Sequence, residues 1–377
     1  MRSLLTLLLA AGPVPLLAQE GRTFTIPNIE IQGQVRNLSW TGPTGAELQR
    51  DVENYCKPHD SGKTRMCTKL LFGKLLQNFL DERAMEGKVT DYEGHSSQLL
   101  SQMEWYASLA TLPWVQTVCE IGFNAGHSAA TYLATKESLT YRAFDIGLHG
   151  ASRPAADLLS WIFGEGRISV TWGDSARTVP PAELGGATTY DGTVVFNHSS
   201  DVHDGEDGGA LHRSPLCCDL AVVDGAHTYG ATMLDMLNFA RVVGRPDERC
   251  RRGRDNDVPR GCGLIVVDDI LSPNVSSPYD DDDIEVTLST PSTKAFDHAT
   301  SAAAGNAQST PAPLRELARI KAKENELRGF ALAGAPECMD PKWQLAQVKA
   351  AREMAESPPF YYDSELDEYW GNGREPT

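Results

Sequence analysis

Short apolar runs between residues 141 and 269 of this chain end, one after another, in carboxylates. Tyr141-Arg-Ala-Phe-Asp145 closes on one acid, and Ile168-Ser-Val-Thr-Trp172 leads into Gly173-Asp174-Ser175. Cys218-Asp-Leu-Ala-Val-Val-Asp224 is followed by Gly225-Ala-His227, and Gly263-Leu-Ile-Val-Val-Asp268-Asp269 closes on a pair. A carboxylate accepts hydrogen bonds from hydroxyl groups, so it suits a diol. Three carboxylates together, here Asp224, Asp268 and Asp269, offer the hard oxygen donors that Mg²⁺ takes along with water. A histidine with an ordinary pKa near about 6.5 takes a proton at neutral pH, which makes His227 the candidate general base beside Asp224. The alternative for these acids is capping of turns and helices.

One further stretch carries chemistry. Residues 117–133 begin as an apolar run, pass through Gly122 and Gly126, and continue as small and apolar residues at helical spacing. This reads as strand, tight turn and helix. Such a turn presents backbone N–H groups and a helix start to a ligand, and glycine permits close approach. A dinucleotide fingerprint requires G-x-G-x-x-G. Counted from Gly122, the second glycine position holds Asn124 and the third holds His127, so the fit is poor.

These residues need elements to position them. Runs rich in β-branched residues alternate with helical patterns at 155–163 and 233–243, which predicts an α/β fold with a doubly wound, mostly parallel sheet. Ligands of such sheets bind beyond the carboxyl ends of the strands, where these acids stand. The fourth and fifth strands are expected to be neighbours, so that Asp224 and Asp268-Asp269 converge. Helices are expected at 64–85, 96–112, 313–327 and 342–354, an irregular segment at 20–60, and a partly helical linker at 286–311. Surface loops are expected at 185–216 and at 249–261; the latter is basic inside an acidic protein. The acidic run 279–284 lacks calcium-loop spacing and reads as solvated, like the acidic, aromatic tail at 361–370.

A formal net charge of −17 over 377 residues argues against nucleic-acid partners, since phosphate neutralisation needs a basic surface. The first 18 residues read as a secretory signal peptide cut near Ala18, with no later stretch of membrane-span length. A signal anchor in the Golgi or the start of a plastid leader is the alternative. Sequons at Asn37, Asn197 and Asn274 and eight cysteines agree with an oxidising lumen and a glycoprotein with disulfide bonds. Cys56 with Cys67 and Cys250 with Cys262 could close short loops, although pairing does not follow from sequence; Cys119 reads as a buried free thiol.

The pattern Glu120-x-Gly122-x-x-x-Gly126-x-Ser128 resembles the first motif of class I S-adenosylmethionine-dependent methyltransferases. With Asp145, Gly173-Asp174-Ser175, Val223-Asp224-Gly225-Ala-His227-x-Tyr229 and Ile265-Val-Val-Asp268-Asp269 in order, the chain resembles their small-molecule O-methyltransferase branch over roughly residues 95–300. The resemblance implies a Rossmann-like methyltransferase fold and S-adenosyl-L-methionine as cofactor. It places Glu120, Gly122, Asn124, Gly126 and Ser128 around the methionine part, Asp145 at the ribose, and Asp174 and Ser175 at the adenine. It further implies a small-molecule or carbohydrate acceptor, Asp224 and His227 as catalytic residues, and Mg²⁺ at Asp224, Asp268 and Asp269 in the metal-dependent members. The expected organisation is a leader (1–18), an N-terminal extension (19–94), a methyltransferase domain (95–300) with insertions at 185–216 and 249–261, and a helical C-terminal extension with an acidic tail (301–377). A lumenal scaffold or binding protein that has lost catalysis is the rival reading, and a nicotinamide-dependent oxidoreductase a weaker one.

Overall fold

A computed structural model describes residues 23–31, 34–41, 44–58, 60, 66–88, 100–183, 187–188, 194–195, 216–243, 259, 262–270, 290–301, 314–321, 329–334, 338 and 340–355. The leader, Asn197, Asn274, Cys250, nearly all of the basic loop, the acidic run and the tail lie outside the described residues. In chain order there is a hairpin, β1 (Thr23–Ile31) and β2 (Gln34–Thr41), and then helices α1 (Gly45–Cys56), α2 (Met66–Met85) and α3 (Leu100–Thr111). The alternating part follows: β3 (Thr117–Ile121), α4 (His127–Thr135), β4 (Thr140–Asp145), α5 (Ser152–Phe163), β5 (Ile168–Trp172) and α6 (Ser175–Glu183). After a minimal pair, β6 (Ala187–Thr188) and β7 (Val194–Val195), come β8 (Leu220–Val223), α7 (Tyr229–Ala240), β9 (Leu264–Val267) and α8 (Pro291–Thr300). Last are β10 (Arg315–Lys321), β11 (Gly329–Gly334) and α9 (Pro341–Ala355).

Seven strands form one sheet in the order β10-β11-β9-β8-β3-β4-β5. The five from β9 to β5 are parallel; at one edge β11 runs antiparallel to β9, and β10 antiparallel to β11. This is the doubly wound, mostly parallel sheet expected from the sequence. Leu-Ala-Val-Val in β8 and Leu-Ile-Val-Val in β9 are buried at every position, which is why they read as continuous apolar runs rather than alternating ones. Helices α1 to α5 and α9 build one apolar layer and α6 to α8 the other, so both faces of the sheet are covered. Among the described residues no helix is long and apolar enough to cross a membrane.

Three sequence expectations are corrected here. Residues 20–60 are not irregular: Phe24 and Ile26 are buried, Phe24 stacks on Trp161 at 5.3 Å, and α1 opens with a Thr44/Glu47 capping box. The two-residue alternation is short and is interrupted by a register shift between Ile26 and Ile29, around Pro27, which hides it. Residues 313–327 carry helix-forming side chains, yet Arg315–Lys321 is a strand. Pairing with β11 extends the sheet, and tertiary pairing overrides a weak local propensity. The C-terminal part is therefore not simply helical, because β10 and β11 complete the sheet.

The third correction concerns cysteines. Cys56–Cys67 is bonded as the short loop suggested. Cys119 is no free thiol: it bonds Cys218 across 99 residues, and Cys262 bonds Cys338 rather than Cys250. Adjacent parallel strands bring Cys119 and Cys218 to a Cα separation of 5.7 Å, a proximity that sequence separation conceals. Cys217 is also disulfide-bonded.

Candidate active site

The chain runs outward from β3 through β4 to β5, then returns to the other side of β3 with β8 and β9. The crevice between β3 and β8 is thus the switch point, where ligands of such sheets bind. Every acid singled out in the sequence stands at this edge. The strand ends are stitched together by Gly122 N–H to Phe144 O (2.9 Å), Asp224 N–H to Ile121 O (2.9 Å) and Asp268 N–H to Val223 O (3.0 Å).

The turn after β3 has three left-handed residues, Gly122 (φ 98°), Asn124 (φ 46°) and Gly126 (φ 78°). Its glycines serve packing. A Cβ on Gly122 would stand 1.8 Å from the backbone O of Asp224, and one on Gly126 would meet the Phe123 ring at 2.8 Å and Leu159 at 3.0 Å. The Asp145 carboxylate fixes the outer side of the turn, accepting from Asn124 N–H (2.9 Å) and Gly147 N–H (2.6 Å). Each oxygen keeps acceptor capacity after one such bond.

Glu120 is fully buried at the end of β3. Its Oε2 accepts from Ser128 Oγ (2.8 Å) and from the Tyr141 hydroxyl, so Ser128 faces Glu120. Burial pushes the Glu120 carboxyl well above the usual range, against the Ser128 hydrogen bond and with help from Asp268 and Asp145. Glu120 Oε1 and the buried Tyr132 hydroxyl have no hydrogen-bond partner. His127, three per cent exposed, lies against Gln77 Oε1 at 3.1 Å, which makes it a packing residue.

Asp224, Asp268 and Asp269 do come together. His227 lies between two of them, with Nδ1 3.4 Å from Asp269 Oδ2 and Nε2 4.0 Å from Asp224 Oδ1. Asp269 holds a left-handed φ of 54°, a strained state for this residue type, and its N–H donates to Asp268 Oδ1 (2.9 Å). Burial pushes Asp224 well above the usual carboxylate range, with further contributions from Asp268, Glu120 and Asp269. Asp268 is pushed up to about 6, first by burial and then by Asp269. Neighbouring carboxyl groups disfavour each other's ionisation. Among the described residues no three His, Cys, Asp or Glu side chains are arranged to hold a metal ion.

Asp174 and Ser175 sit apart from this cluster, at the start of α6. Asp174 Oδ1 caps Ala176 N–H (3.0 Å), and Ser175 Oγ donates to Asp235 Oδ1 (2.7 Å). Asp235 is buried on α7 and pushed up to about 6 by its burial.

Several residues at this edge escaped sequence reading. Gln102 on α3 donates to Asp268 Oδ2 (2.8 Å) and to the Tyr106 hydroxyl (2.9 Å). Ile146 and Leu148, 58% and 76% exposed, follow Asp145, and Arg153 covers the Trp172 ring at 4.6 Å. Apolar side chains directly after a strand-end acid were a readable signal. Gln102 gave none, being 166 residues from its partner.

No family model matches the chain, and no curated protein matches it. Solved structures resemble it weakly. A Klebsiella pneumoniae protein provisionally named an O-methyltransferase is 14% identical, with 76% of this chain and 99% of that one covered and a TM-score of 0.40. The O-methyltransferase TomG of Streptomyces achromogenes, solved with S-adenosylmethionine, is 14% identical over 68% and 87% of the two chains (TM-score 0.38). A Bacillus cereus O-methyltransferase in complex with SAH is 11% identical over 76% and 96% (TM-score 0.38). At these values the likeness carries no argument about chemistry, and the fold stands on the strand order. Among solved structures, the chain is similar in fold to S-adenosylmethionine-dependent O-methyltransferases.

Proposed function

We propose that the chain is a class I S-adenosylmethionine-dependent methyltransferase that methylates a hydroxyl group of a small molecule or sugar. The observation that supports it most is His227 placed between Asp224 and Asp269 at the switch point, with the glycine turn and Asp145 on the facing strands. The residues present fit the cofactor. Asp145 retains acceptor capacity for the two ribose hydroxyls, and exposed Ile146 beside it offers an apolar face to a purine. Gly122, Asn124 and Gly126 would border the methionine part together with Glu120 and Ser128, and Asp174 and Ser175 would lie at the adenine end.

The cofactor supplies an electrophilic methyl group for in-line displacement. The chain aligns the acceptor oxygen with it and excludes water. His227 takes the hydroxyl proton at Nε2, whose contact with Asp224 is loose at 4.0 Å, while Asp269 at 3.4 Å from Nδ1 holds the ring. Disulfides in the core support an oxidising compartment, in line with the leader and with secretion or retention in a lumen.

Calorimetric titration of the folded protein with S-adenosylmethionine and, separately, NAD tests this reading. Saturable heat with the sulfonium compound alone is expected. Binding of NAD alone would favour an oxidoreductase, and binding of neither a scaffold. Once an acceptor is in hand, His227→Ala is expected to lower turnover by about 10²–10⁴ with cofactor affinity unchanged. Normal turnover would remove the base.

A further inference from the structure

The β1–β2 hairpin takes no part in the chemistry proposed above, and its two faces differ sharply. Side chains along a strand alternate between faces. Phe24 and Ile26 are buried, and Leu38 and Trp40 pack on the core from the paired strand. Phe24 also stacks on Trp161 at 5.3 Å. Thr23, Thr25, Asn37, Ser39 and Thr41 hold the alternate positions, and all five are exposed. A slip of one residue in register would turn that polar set inward, so the apolar face fixes which way Asn37 points. Two hydroxyl pairs brace the register from outside, Thr23 with Thr41 at 3.0 Å and Thr25 with Ser39 at 3.1 Å.

The first and third residues of the sequon Asn37-Leu38-Ser39 thus lie on the exposed face, while Leu38 between them anchors the strand to the core. Asn37 also stands at the register shift between the Ile26–Leu38 and Ile29–Arg36 pairs. A bulge of this kind relieves the crowding of directly opposed side chains, which leaves room for a bulky substituent.

We propose that Asn37 is an N-glycosylation site and carries its oligosaccharide on the outer face of the hairpin. The proposal rests on the lumenal reading above, which the disulfides support, and not on the methyl-transfer chemistry. The donor is an oligosaccharide linked to a lipid diphosphate. Nδ2 of Asn37 attacks its anomeric carbon: the C–N bond forms, the C–O bond to the diphosphate breaks, and the lipid diphosphate leaves with the electron pair. The amide gives up one proton to the transferring enzyme. The tripeptide is what that enzyme reads, and the fold meets the second requirement. A bulky, hydrated group added before folding has to stay in solvent afterwards, and at Asn37 the hairpin closes with that group outside.

The test expresses the full chain, leader included, in cultured animal cells. Peptides spanning residue 37 are read by mass spectrometry before and after peptide N-glycosidase, which converts a glycosylated asparagine to aspartate. A glycan at residue 37 is expected, with conversion to aspartate on its removal. Asn37→Gln and, independently, Ser39→Ala are expected to lose that glycan and its share of the intact mass, whereas Ser39→Thr keeps it. Secreted protein whose Asn37 is unmodified would overturn the site and leave the lumenal reading standing. Protein held in the cytosol, unglycosylated and with reduced cysteines, would overturn both.

Discussion

Replacing Gly122 by alanine tests the joint between the two halves of the site. At φ 98° a Cβ costs about 1–2 kcal/mol of backbone strain. It would also stand 1.8 Å from the Asp224 carbonyl oxygen, well short of the roughly 3.5 Å at which non-bonded atoms rest. The Asp224 backbone must therefore withdraw, and its N–H bond to Ile121 O, now 2.9 Å, is lost in a buried place at about 1–3 kcal/mol. Together these give a destabilisation of about 2–5 kcal/mol, along with displacement of Asp224. Gly126→Ala meets a similar φ, 78°, but opposes the edge of a ring and a leucine methyl, which can shift by a few tenths of an ångström. It should cost less, about 2 kcal/mol. Gly166→Ala meets nothing within 4 Å and should stay within about 0.5 kcal/mol of the parent. Urea unfolding followed by circular dichroism ranks the three. A Gly122→Ala protein within about 1 kcal/mol of the parent, or one less affected than Gly126→Ala, would refute the close-approach argument.

Two further outcomes follow from buried groups. Asp235 is protonated up to about pH 6 in the folded chain but only to about 4 when unfolded, so the folded state holds the extra proton and stability falls as pH rises across that window. Asp235→Asn can still accept from Ser175; it should remove that slope and add up to about 3 kcal/mol at pH 7, read by urea unfolding at a series of pH values, and an unchanged slope would refute the assignment. Replacing both Cys119 and Cys218 by serine should lower stability by about 2–5 kcal/mol under non-reducing conditions, the range for a disulfide closing a loop of this length, and a change under about 1 kcal/mol would mean that the ladder alone holds β3 to β8.

How far the site was legible follows from how local each signal is. Asp145, Asp224 and the Asp268-Asp269 pair were readable because they stand at the ends of three buried strands, so a one-dimensional pattern places them at one edge. Asp174 was readable as a strand-end acid, but its bond to Ala176 N–H shows a capping role of the kind that the same pattern also allows. Gly122 and Gly126 were correctly placed in a turn for an incomplete reason. The carbonyl that forbids a Cβ at Gly122 belongs to Asp224, which lies 102 positions away and arrives only when β8 docks beside β3. Gln102, the Cys119–Cys218 bond and the strand character of Arg315–Lys321 share that origin, since each is decided by a partner that folding supplies.

That dependence has a consequence for how the site works. Strands β3 and β8 carry the glycine turn and the acidic mouth respectively, and they are joined three times. A disulfide ties Cys119 in β3 to Cys218 just before β8, the ladder pairs Val118 through Ile121 with Leu220 through Val223, and at the top Gly122 abuts the Asp224 carbonyl. The in-line displacement proposed above is sensitive to misplacement on the scale of an ångström, and a donor half and an acceptor half on separate loops would drift by that much. Here neither half can slide against the other without breaking a covalent bond, a buried ladder or a contact with no slack. Under that reading the adaptable positions are the exposed Leu148 and Tyr229 on the rim, where a change of side chain would alter which acceptor fits and leave that alignment in place, whereas His227 and Ile146 serve the reaction itself.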